Sequence, residues 1–112
     1  MIPDKELIVR RERENDGWAV HMYYNAELGL YQAFGRSAYF TTAVVDPLAS
    51  ISDLTGLPVV MLNRNDVLKL RQSMTVVEHR PKDYYRLRTR NKIGCRWYKL
   101  WIDNISGKGG WF

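Results

Sequence analysis

Apolar residues in this chain gather in short runs whose spacing shifts from one segment to the next, and turn-forming residues close most of them. Leu7-Ile8-Val9 reads as a short strand, and Asp16-Gly17 marks a turn into Trp18-Ala19-Val20-His21-Met22-Tyr23-Tyr24, a second strand. Asn25 to Gly29 forms a loop into Leu30-Tyr31-Gln32-Ala33-Phe34. After Gly35, Arg36-Ser37-Ala38 opens a helix with Ser37 as its N-cap; it runs to about Val45 and must end by Pro47, because the residue before a proline is pushed out of the α region. Ile51 to Gly56 is a loop or a short helical turn, and Pro58-Val59-Val60-Met61-Leu62 is a buried strand of the continuous type. Asn63 or Asn65 caps a helix from about Asp66 to Ser73, and Thr75-Val76-Val77-Glu78 is a further strand ended by Pro81.

Tyr84, Arg86, Arg88 and Arg90 share one parity while Tyr85, Leu87 and Thr89 share the other, the period of a strand. Arg96 to Ile102 follows Asn91-Lys92-Ile93-Gly94, whose Asn and Gly suit a turn, so the two runs together predict a C-terminal β-hairpin with an Arg-lined face. Strands interleaved with two to three short helices predict a single α/β or α+β domain over residues 1–105, built on a mixed β-sheet, with a Gly-rich tail over 106–112.

Charge sharpens this picture. Residues 80–99 hold eight of the seventeen Lys and Arg but only one acid, Asp83, whereas the other residues carry nine basic and eleven acidic side chains. The net charge of +5 therefore comes from one segment, the kind of concentration a polyanion selects. Arg86, Arg88, Arg90, Lys92 and Arg96 are the candidate phosphate contacts, with Tyr84 or Tyr98 placed to stack on an unpaired base. The simpler alternative is a solvated sheet face, but three same-face Arg without an intervening Glu repel one another.

At 112 residues the chain has the length of one domain, and its 46% hydrophobic and 26% charged content is that of a globular protein. No apolar run approaches the roughly 18 residues of a spanning helix, and the first residues lack the charged-then-apolar order of a signal peptide. One cysteine, Cys95, agrees with a reducing compartment and reads as a packing residue in a strand. These features predict a soluble, cytoplasmic protein with no membrane partner.

Glu27-Leu28-Gly29-Leu30-Tyr31-Gln32-Ala33-Phe34-Gly35-Arg36-Ser37-Ala38 resembles the start of the mismatch-recognition domain of MutS proteins, with Tyr31, Phe34, Gly35 and Ala38 in register. The resemblance extends from about Trp18 to His79 and takes in the run at Leu57 to Met61, the helix from Asp66 and Val76-Val77-Glu78. It implies a free-standing mismatch-recognition module that binds DNA, with a larger repair protein as a possible partner. In that family a Phe wedges between base pairs beside a base-contacting Glu; the matching positions here are Leu30 and Gln32. Leu30 is apolar without a π face, and Gln32 retains an acceptor and adds donors. These departures weaken the implied mismatch specificity and leave DNA binding open.

The chain has no Gly-x-x-x-x-Gly-Lys-Ser/Thr loop, so ATP hydrolysis is not expected. His21 on a strand reads as a hydrogen-bonded structural histidine, and Glu78 and His79 as neighbours point to opposite faces. Two histidines and one cysteine without close spacing make no zinc site. The expectation is a non-enzyme without cofactor or metal. The alternative is a non-catalytic protein-interaction module acting as a homodimer, anchored by aromatic residues such as Trp97 and Trp101 around Lys99.

Overall fold

The computed structural model describes residues 5–105; the stretch expected to be a Gly-rich tail, 106–112, lies outside them. Along the chain run α1 (Lys5–Arg13), β1 (Ala19–Asn25), β2 (Leu30–Phe34), α2 (Gly35–Thr41), β3 (Leu48–Ile51), β4 (Pro58–Leu62), α3 (Arg64–Ser73), β5 (Thr75–Arg80), β6 (Tyr84–Arg88) and α4 (Tyr98–Ile105). The fold is α+β, as expected, with four helices on a six-stranded sheet of order β3-β4-β2-β1-β6-β5.

Every strand pairing is antiparallel, so the sheet is not the mixed one expected. Helices between strands suggest parallel crossovers, but here β1–β2, β3–β4 and β5–β6 are three antiparallel pairs laid side by side. Tyr24 pairs with Tyr31 across the first, and Arg86 with His21 across the joint between β6 and β1. Strand β3 escaped the sequence reading, which places Ile51 in a loop.

Two segments read as strands are helices. In α1, Ile8 and Glu12 lie one turn apart and are the buried residues, which sets a helical period that three consecutive apolar residues conceal. In α4, Tyr98, Trp101, Ile102 and Ile105 recur at helical spacing and are half-buried, while Lys99, Leu100 and Asn104 face solvent. The C-terminal hairpin is therefore absent: β6 pairs with β5 through the turn at Pro81 to Asp83 instead. Beyond β6 the chain is tied to the start of β1, where the Thr89 N–H donates to the Trp18 carbonyl and the Ile93 N–H to the Gly17 carbonyl, at 3.0 and 2.9 Å. A Cβ on Gly17 would lie 2.5 Å from the Ile93 carbonyl oxygen, and its φ of +101° independently favours glycine.

The core has two parts. On one sheet face Val20, Met22, Ala33, Val60, Leu62 and Leu87 pack with Phe40 of α2 and Leu70 of α3, and Trp101 of α4 packs on this group. On the other face Tyr23, Phe34, Val59 and Tyr84 pack with Ile8 of α1. A buried polar knot joins α1 to α2: the Glu12 carboxylate accepts from the Ser37 N–H and hydroxyl, each at 2.7 Å, and from Asn15 Nδ2 at 3.4 Å. Ser37 thus serves the knot rather than capping α2, whose N-cap is Phe34 with no side-chain bond. Of the two capping residues expected, Asn63 caps α3, within a capping box shared with Asp66.

Candidate functional site

The loss of the hairpin redistributes the expected basic row. Arg86 and Arg88 stand on the α1 face of the sheet and are exposed. Arg90 instead donates to the Gln72 carbonyl of α3, at 3.2 Å, on the opposite face. Lys92 lies against Gly17, and Arg96 stacks its guanidinium over Trp97 at 5.0 Å, just before α4. Of the three Arg expected on one face only Arg86 and Arg88 stay together, because the strand stops at Arg88. Cys95, expected to pack in a strand, is exposed.

Arg86 borders a cleft of about 350 Å³ on the α1 face, together with Arg11, His21 and Tyr84. Three carboxylates, Glu14, Asp16 and Glu78, line the same cleft and outnumber its two guanidinium groups, so it has no preference for a polyanion. Its floor is a structural pair: His21 Nδ1 lies 2.6 Å from the Tyr84 hydroxyl, and the His21 N–H donates to Ser37 Oγ. Burial, reinforced by Arg11 and Arg86, lowers the imidazole to about 4 and keeps it neutral. The expectation of a hydrogen-bonded structural histidine agrees with this geometry. Glu78 and His79 do face opposite ways: Glu78 is paired across from Arg86, while His79 stacks on Tyr85, rings 4.0 Å apart and 5° from parallel.

The larger opening, about 420 Å³, lies on the other sheet face between α3 and the β1–β2 hairpin. Tyr24, Tyr31 and Tyr85 come from three adjacent strands and form its aromatic floor, with centroids 5.2 Å apart for the first pair and 5.3 Å for the second. Arg64 and Arg71 of α3 form the cationic wall, and the Arg71 guanidinium carbon lies 5.7 Å from the Tyr85 ring. They are seven residues apart, about two turns, so they project from one side of the helix about 10 Å from each other. No Asp or Glu lines this groove. Burial raises the Tyr31 phenol above its ordinary range, keeping it a neutral donor.

Leu30 sits at the groove's mouth beside Gly29. Gln32 does not join it. Its amide accepts from Asn25 and donates toward Met61, which packs on the α1-side core. Tyr24, Tyr31, Tyr85, Arg64 and Arg71 are not expected as a group from the sequence. The available signals were the hairpin register, which sets Tyr24 opposite Tyr31, and the i, i+7 spacing of the two Arg in a capped helix.

Among the described residues no three His, Cys, Asp or Glu side chains converge as a metal site, and no helix is long and apolar enough to cross a membrane. Comparison with protein-family models, curated proteins and solved structures finds no match to this chain.

Proposed function

We propose that this domain binds nucleic acid, DNA in the first instance, through the groove between α3 and the β1–β2 hairpin. The observation that carries the proposal is the pairing of three Tyr rings with two Arg in a concavity free of carboxylates. Aromatic faces attract bases and guanidinium groups attract phosphates, and nothing in the lining repels either. The resemblance of Glu27 to Ala38 to the MutS mismatch-recognition module, with Leu30 at the position of its wedge, is the sequence argument for the same reading. As in the sequence reading, the proposal is for a binding module without catalysis.

The test is binding of a labelled oligonucleotide at two salt concentrations. Affinity falls steeply with salt, and charge reversal at Arg64 and Arg71 weakens it more than reversal at Arg86 and Arg88. Equal losses in the two double variants would remove the groove as the contact surface. Leu30→Phe increases the preference for a mispaired over a matched duplex if the MutS relation holds; an unchanged ratio would end that relation.

A second reading has its own observation. Trp97 and Leu100, at and beside the start of α4, are 57% and 52% exposed, an apolar pair suited to a protein partner or a second copy of the chain. Association through them depends little on salt.

A further inference from the structure

We infer that the α3 groove holds an unpaired nucleotide, so that the domain selects single-stranded over fully paired nucleic acid; the inference deepens the nucleic-acid reading and rests on it. Bases in an intact duplex have both faces covered by their stacked neighbours and offer only their edges in the grooves. The rings here lie on the floor of a recess, walled by α3 on one side and by Gly29 and Leu30 on the other. A ring so placed meets a base face only when the base has left its stack. About 420 Å³ falls within the usual range for a site taking a small ligand, and here suits one nucleotide rather than a helical segment.

The polar groups fit the same occupant. Tyr24 and Tyr31 are half-buried, so each keeps some ring surface open, whereas Tyr85 is buried beneath His79 and Arg71 and serves as support. Arg64 and Arg71 both line the recess, from backbone positions about 10 Å apart along α3. That spacing spans more than one phosphate step of a B-form strand, about 3.4 Å along the axis, and suits a backbone drawn out across the opening. Asn65, at the rim between them, offers both donors and an acceptor to a base edge.

The test uses the full chain with oligo-dT, oligo-rU and a duplex, each of about 20 nucleotides per strand, at about 50 and about 200 mM salt. At least one single strand binds about tenfold or more tighter than the duplex. Tighter dT indicates a DNA ligand and tighter rU an RNA ligand, and both support the inference. Tyr24→Leu lowers single-strand affinity about 5- to 100-fold and leaves the salt slope and duplex binding unchanged. Arg64→Gln with Arg71→Gln, at exposed helix positions where folding is not at stake, flattens the single-strand slope by about 1.4. Duplex binding equal to or tighter than both single strands overturns the inference, as does a Tyr24→Leu loss shared equally by duplex and single strand. Those results leave the broader nucleic-acid reading standing, whereas no binding of any polymer at the lower salt defeats both.

Discussion

Two buried titratable groups push stability in opposite directions with pH, and removing either exposes the other. Glu12, 3% exposed, has its carboxyl pushed from 4.5 up to about 7 by burial, against the pull of its Ser37 and Asn15 donors. Between those values the folded state holds a proton that the unfolded chain has released. Its contribution is therefore present below pH 4.5 and lost as pH rises to 7, at about 1.4 kcal/mol per pH unit. His21, 8% exposed, is lowered from 6.5 to about 4, so below pH 6.5 the unfolded chain binds the extra proton. Its contribution is present above 6.5 and lost as pH falls toward 4, with the opposite slope. Over the shared window these two effects cancel. His21→Gln leaves Glu12 unopposed, so stability falls by about 3 kcal/mol from pH 4.5 to 6.5 relative to wild type, and Glu12→Gln produces the mirror-image rise. Urea unfolding followed by Trp fluorescence at several pH values reads both slopes, and subtracting the wild-type curve removes carboxylates common to all three proteins. Parallel curves for the three proteins would show that neither Glu12 nor His21 titrates differently in the folded and unfolded chain.

Other perturbations follow from the packing. Phe40→Ala, at a fully buried position against the sheet, costs about 3–5 kcal/mol in urea unfolding. Asn63→Ala removes the side-chain half of the α3 capping box and costs about 1 kcal/mol, with the binding groove otherwise intact. Gly17→Ala combines a positive φ with a Cβ 2.5 Å from the Ile93 carbonyl oxygen, so it lowers stability by about 1–3 kcal/mol and speeds amide exchange at Ile93.

Much of the sheet was legible because its strands announce themselves by turns and runs. Ala19 to Tyr24, Leu30 to Phe34, Pro58 to Leu62, and the alternation from Tyr84 to Arg88 all fall on strands, and Asn63, one of two cap candidates, marks the start of a helix. The failures share one physical origin. Leu7-Ile8-Val9 and Trp97 to Ile102 are short apolar clusters whose period is ambiguous, and tertiary burial at Glu12 and at Trp101, not local pattern, fixes them as helices. Misreading the second cluster created a hairpin and, with it, five candidate phosphate contacts on one arm. The folded chain sends Arg90 to α3 and Arg96 to Trp97. The aromatic groove was hidden for a related reason: its rings and guanidinium groups come from β1, β2, β6 and α3, distant in sequence and brought together only by strand order.

The central claim is that these side chains form one nucleic-acid surface. The most direct measurement is an amide NMR titration of the labelled protein with oligo-dT. Shifts concentrate at Tyr24, Leu30, Tyr31, Arg64, Asn65 and Arg71, with α4 unmoved. Shifts concentrated at Trp97 to Ile102, or around Arg86 and Arg88, with a silent α3, would contradict it.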